Sequence, residues 1–162
     1  MLIAVISDTH MPRGDRRLPD ACLERLRAAD LILHGGDVMT ASVYAEFERI
    51  GPPLLAIHGN ADDDELRREL PKQRTVEAEG VTIAMVHNGG PAAGRLGRMR
   101  KRFPDADAVV FGHSHMPLHE QDDGFQIFNP GSPTERRKAP AHTMGLARVD
   151  GGAVEFELVV VG

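Results

Sequence analysis

The sequence has a single cysteine, Cys22, no tryptophan, one tyrosine and 4% aromatic residues. One cysteine excludes an intramolecular disulfide, and a reducing compartment fits it. No apolar run approaches the length needed to span a membrane. The opening run, Leu2 to Ile6, is too short for a secretory signal and lacks a basic leader, so the expected location is the cytoplasm. Several catalytic signatures are also missing. There is no Gly-x-x-x-x-Gly-Lys loop for a nucleoside triphosphate and no Gly-x-Gly-x-x-Gly after a strand, and Ser114 stands in Gly-His-Ser-His, not in a nucleophile elbow. Repeats, low-complexity tracts and internal linkers are absent too, so residues 1–162 are expected to form one domain. Basic residues do not predominate: the formal charge of −5 argues against a nucleic-acid partner.

What is present is an ordinary globular composition, 41% hydrophobic and 27% charged, in which short apolar runs alternate with helical patterns. Leu2 to Ile6, Leu31 to His34, Leu54 to His58 and Ala108 to Phe111 read as buried strands, too short for core helices. Between them lie three helical patterns. The first follows Pro19 and carries Cys22, Leu23 and Leu26; the second is capped by Thr40 and carries Val43, Phe47 and Ile50; a short one runs from Asp63 to Leu70. Gln73 to Ala78 and Val81 to Val86 read as a hairpin, and Leu96, Met99 and Phe103 form the inner face of a further helix whose wet face carries Arg95, Arg98 and Arg102. Phe125 to Phe128 is extended, and Met144 to Val149 with Ala153 to Val160 make a closing hairpin around Asp150-Gly151-Gly152. The alternation predicts an α/β fold.

Five of the apolar runs end on polar side chains able to ligate a metal. Asp8 and His10 follow the first run, Asp37 the second, Asn60 the third, His87 the second strand of the hairpin, and His113 with His115 the run from Ala108. Taken one at a time, Asp, Asn and Gly at such places are ordinary turn formers. Five separate strand exits of this kind are not explained by turn preference. In open sheets ligands gather at the carboxyl ends of strands, so these groups can converge. Histidines and carboxylates without a thiolate suit Zn, Fe, Mn, Ni or Co and not calcium. Seven donors exceed one tetrahedral ion but suit two ions, with Asp37 the candidate bridge because its exit falls between its neighbours' in the simplest strand orders. Two ions about 3.5–4 Å apart can hold a hydroxide between them and clamp a phosphoryl oxygen. Hydrolysis of a phosphoester by that bridging hydroxide is the expected chemistry.

Asp8-Thr9-His10, Gly36-Asp37, Gly59-Asn60, His87 and Gly112-His113-Ser114-His115 together resemble the ordered signature of calcineurin-like metallophosphoesterases. The short chain, Asn129-Pro130-Gly131-Ser132 and the closing hairpin resemble the small bacterial and archaeal phosphodiesterase branch, to which the retromer scaffold subunit is related. The resemblance implies a four-layer αββα sandwich, two mixed sheets face to face with helices outside. It also implies two divalent ions, manganese first with Ni, Fe or Zn as alternatives: Asp8, His10, Asp37 and His115 would hold one, and Asp37, Asn60, His87 and His113 the other. Asp37, Asn60 and His87 would then hold the nucleophile and clamp the phosphate. A small phosphoester or nucleotide is the implied substrate, and relatives that self-associate raise a homo-oligomer. The alternative of a different class is a catalytically weak or silent protein-binding scaffold of the same fold.

Two positions depart from the family pattern. Ala61 stands where many members carry a histidine that helps protonate the leaving group; Asp62 beside it is a weak candidate acid, since an aspartate needs a raised pKa to serve near neutrality. Asn88 stands where glycine usually follows the histidine. A site without a strong acid favours esters with good leaving groups. His34 and His58, each just ahead of a ligand motif, can orient a ligand from behind, and the basic segments Arg95 to Arg102 and Arg136 to Lys138 read as solvated faces.

Overall fold

Alternation within the first apolar run sets the layers. Ile3 and Val5 point to one side, Ala4 and Ile6 to the other, and all four are completely buried. A strand buried on both faces must lie inside a stack. The computed structural model, which describes all 162 residues, shows that stack. Its elements run β1 (Leu2–Ile6), α1 (Asp20–Ala28), β2 (Leu31–His34), α2 (Ala41–Glu48), β3 (Leu54–Ala56), α3 (Asp64–Glu69), β4 (Gln73–Ala78), β5 (Val81–Val86), α4 (Arg95–Arg102), β6 (Ala108–Val110), β7 (Leu118–Asp122), β8 (Phe125–Asn129), β9 (Thr143–Asp150) and β10 (Ala153–Val160).

Two mixed five-stranded sheets form, ordered β10-β9-β1-β2-β3 and β4-β5-β6-β8-β7. Ile3 and Val5, with Leu31 and Leu33, meet Val76, Ile83, Met85, Val110 and Phe128 of the second sheet in the central core. Ala4, Ile6, Ile32 and Ala56 face the other way, onto Cys22 and Leu26 of α1, Val43 and Phe47 of α2, and Leu66 of α3. Met99 of α4 covers the outer face of the second sheet against Val86, Val109 and Phe111. This is the expected four-layer sandwich.

The helix starts follow from their caps. Thr40 accepts the amide of Val43 at 3.3 Å and Asp63 that of Leu66 at 2.9 Å. One strand, β7, has no counterpart in the sequence reading: its residues, Leu-His-Glu-Gln-Asp, are nearly all exposed at the sheet edge, so burial leaves no alternating pattern on it. The arginines of α4 are less free than a wet face implies. Arg95 donates to the Gly90 carbonyl at 2.9 Å and lies over the Phe111 ring, while Arg98 donates to the carbonyls of Gly89, Pro91 and Ala93.

Two outcomes follow from the packing. Phe128 is fully buried and stacks on Phe156 with ring centroids 4.6 Å apart; Phe128→Ala is expected to cost about 3–5 kcal/mol, read from the urea midpoint. Burial pushes the Cys22 thiol up to about 12; at pH 8 the folded protein should resist an aromatic disulfide reagent and react only once unfolded.

Candidate metal centre

The strands β1, β2 and β3 run parallel, so their carboxyl ends open on one edge, and β2 lies between the other two. Asp37, leaving β2, is therefore flanked by Asp8 and His10 from β1 and by Asn60 beyond β3. In the facing sheet β5 and β6 also run parallel, which brings His87, His113 and His115 to the same end. Contacts link all seven residues. His10 Nε2 is 3.5 Å and His87 Nε2 3.2 Å from Asp37 Oδ2, His115 Nε2 is 3.4 Å from Asp8 Oδ1, and Asn60 Oδ1 is 3.1 Å from His87 Nε2 and 2.9 Å from His113 Nδ1. The His113 amide donates to Asp8 Oδ2 at 2.9 Å.

Unusual backbone carries several of them. Asp8, His10, Asp37, His113 and His115 all have positive φ, between 44° and 68°. Non-glycine residues held there cost energy and cluster at functional sites. The glycines beside them allow the crowding: a Cβ on Gly112 would collide with Ser7 and Asp8, and one on Gly59 with Asp37.

The electrostatics centre on two buried carboxylates. Asp8 and Asp37 are 0% and 2% exposed, and their only ionisable partners of opposite sign are histidines. Burial drives the Asp8 carboxyl up to about 7, against the pull of His87. For Asp37 burial pushes upward as well, but the hydrogen bond and charge of His87 outweigh it and bring the group down to about 2. Burial alone would lower His87; bonded to Asp37 and close to Asp8, it rises to about 9. Burial lowers His10, His113 and His115, the last to about 4, and Arg137 pushes all three the same way. Three of the four imidazoles are thus held neutral, the form in which histidine ligates metal.

The donor set fits divalent ions. Both ring nitrogens of His10 and Nε2 of His115 are buried without any hydrogen-bond partner, a costly condition for imidazole. The nitrogens sit beside carboxylate oxygens in two groups, Asp8 with His10 and His115, and Asp8 with Asp37 and His87, whose donor atoms lie within 4.8 Å of one another. His87 Nδ1 is tied to the Gly35 carbonyl at 2.8 Å, which leaves Nε2 facing inward.

Other residues hold this arrangement, and most carried no sequence signal because their partners are remote in the chain. Asp62 accepts the amides of Asp37, Met39 and Gly59 at 3.0, 2.7 and 2.6 Å. Ser132 and Thr134 donate to the carbonyls of Asp8 and Thr9 at 2.8 and 2.6 Å. Glu135, bonded to Arg16 at 2.8 Å, turns its second oxygen to within 3.7 Å of His10 Nε2. His34 is buried between Thr9 Oγ1 and the Gly36 amide, at 3.0 and 3.2 Å, and burial takes it down to about 4.

A two-sheet sandwich with a nitrogen and oxygen donor cage across its strand exits defines a class, and comparison with known proteins identifies it. The sequence profile of the calcineurin-like phosphoesterase superfamily domain matches residues 1–152, and the chain belongs to that family, which implies divalent metal ions. A probable metallophosphoesterase of Methanothermobacter thermautotrophicus is 32% identical across 100% of this chain and 94% of its own. A phosphodiesterase of Methanocaldococcus jannaschii is 22% identical over 81% of this chain and 83% of its own. In three dimensions, Vps29 of Entamoeba histolytica, solved with Zn, superposes with a TM-score of 0.77 at 20% identity, covering 100% of both chains, a likeness of fold.

Asp62→Ala should orphan three amides at once. At about 1–3 kcal/mol for each buried donor left unpaired, chemical denaturation should show one of the largest losses of any single substitution outside the hydrophobic core.

Proposed function

We propose that this chain is a phosphoester hydrolase dependent on two divalent transition metal ions, acting most readily on phosphodiesters. One observation carries the reading: two buried carboxylates share a cage with histidines whose buried nitrogens have no partner, at an edge where five strand exits meet. Asp8, His10, Asp37 and His115 would hold one ion, and Asp37, Asn60, His87 and His113 the second. Asp37 Oδ2 lies 3.5 Å from a histidine of the first set and 3.2 Å from one of the second, which supports it as the bridge. When bound, the ions ionise water near neutral pH and draw in a phosphoryl oxygen. Manganese is the first candidate, with Ni, Fe or Zn behind it.

The protein's own groups do the rest. Asn60, His87 and His113 face the neighbouring cavity and orient the phosphate from that side, and Arg137 adds positive charge near the histidines. Asp62 we assign to positioning: its oxygens serve three amides that fix Asp37 and Gly59, and Ala61 has no proton to give. The leaving group must then depart with little help from a side-chain acid. That lack is also the observation that favours the second reading, a protein-binding scaffold of weak or no activity. A single domain in the reducing cytoplasm suits the lone buried thiol, and no helix is long and apolar enough to cross a membrane.

Purified protein should contain divalent metal by elemental analysis and hydrolyse bis-nitrophenyl phosphate with added Mn, Ni, Zn or Mg; two bound metals with no turnover on any phosphoester would establish the scaffold instead. Nitrophenyl diesters should outpace alkyl phosphomonoesters. Asp37→Asn should lower turnover at least about 100-fold, beyond the range typical of outer-shell changes, and reduce metal content; wild-type activity in that variant would remove Asp37 as the bridge.

A further inference from the structure

Beside the metal centre lies a cavity of about 570 Å³, one wall of which is made by Asn60, His87 and His113. Its other walls bring together cations that are far apart in sequence: Arg67 from α3, Lys72 just ahead of β4 and Arg102 at the end of α4. Not one aspartate or glutamate lines it, and Val86 is its only apolar residue. The ion pairs of the chain involve none of these three cations. Arg67 is folded back onto the carbonyls of Asp62 and Asn60 and stiffens the loop that carries Asn60. Arg102 is steadied by Gln73 Oε1 at 2.9 Å, next in sequence to Lys72. The volume is that of a small-ligand site. No phenylalanine, tyrosine or tryptophan lines it, so its recognition chemistry is that of cations, amides and imidazoles. In a chain of net charge −5, three uncompensated cations around one cavity are a local reversal of sign, and such a concavity concentrates anions.

We propose that this cavity binds a second phosphate carried by the substrate, seated on Lys72 and Arg102, while the phosphoester to be cleaved lies at the metal centre. The inference rests on the hydrolase reading for the second half of that statement and on the cavity alone for the first. A phosphate monoester is the fitting occupant because its double negative charge matches cations that have no carboxylate of their own, and guanidinium and ammonium groups both bind phosphate oxygens strongly. The preferred substrates are accordingly small phosphodiesters that also carry a terminal phosphate, for which bisphosphates serve as binding probes, and a lone phosphoester is bound by half of the site.

Calorimetry on the manganese-loaded full chain tests this without requiring turnover. Fructose 1,6-bisphosphate is compared with fructose 6-phosphate, and adenosine 3′,5′-bisphosphate with adenosine 5′-monophosphate, on wild type, Lys72→Ala, Arg102→Ala and Lys72→Glu; all the substituted side chains are exposed. At least one bisphosphate should bind about tenfold or more tightly than its monophosphate, the scale of one charged hydrogen bond. That ratio should drop by at least threefold in each alanine variant and approach one in Lys72→Glu. Equal binding of both members of both pairs, or a ratio that survives all three substitutions, overturns the proposal. Bis-nitrophenyl phosphate turnover in the same preparations separates the two readings: turnover without a bisphosphate preference sinks the second-phosphate site alone, whereas a Lys72-dependent preference without turnover upholds it and removes the hydrolase.

Discussion

Two carboxylates buried within one cage, with no lysine or arginine paired to either, are the constraint from which this end of the molecule follows. Removing an ionised carboxylate from water costs several kcal/mol even after relaxation, and the cost grows when a second one is close. Asp8 is met by Ser7, by the His113 amide and by His115; Asp37 by the Ala61 amide and by His10 and His87. Imidazoles compensate part of that charge and only one of them, His87, is driven to its cationic form. The remaining deficit of positive charge is what suits the cage to divalent cations.

The sandwich supplies that cage through its topology. Parallel strands send their exits to one edge, and two sheets stacked face to face let exits from β1 and β2 meet those from β5 and β6. Five of the seven candidate ligands sit at positive φ on the turns that follow. Such turns persist because the surrounding bonds over-determine them: Asp62 fixes the β2 and β3 exits together, and Ser132 and Thr134 clamp the β1 exit from the far side of the chain. The glycines between the candidate ligands leave no room for a side chain, so the loops carry polar donors and supporting backbone in alternation.

Charge is distributed unevenly around this centre. Acidic residues outnumber basic ones overall, yet the cavity beside the cage is lined with cations and no carboxylate. Arginines that look equivalent along α4 divide their work: Arg95 and Arg98 hold the loop after His87 by its carbonyls, Arg100 approaches Asp122, and Arg102 turns into the cavity. The same helix therefore both braces the loop after His87 and shapes the space next to it.

Strand and helix placement and the seven polar side chains at the strand exits were legible in the sequence, because burial imposes a period on apolar residues and strand exits are marked where that period breaks; the four-layer stack was legible only through the family resemblance. The β7 strand was not, since an exposed edge carries no such period. Nor were Asp62 as the acceptor of three amides, Glu135 beside His10, or Lys72 with Arg102 across one cavity. Composition and spacing determine which chemistry the chain possesses. Only the stacking of the two sheets decides which groups share a volume, because distances between residues a hundred positions apart are set by strand order and layer packing, and these leave no mark on the residues themselves.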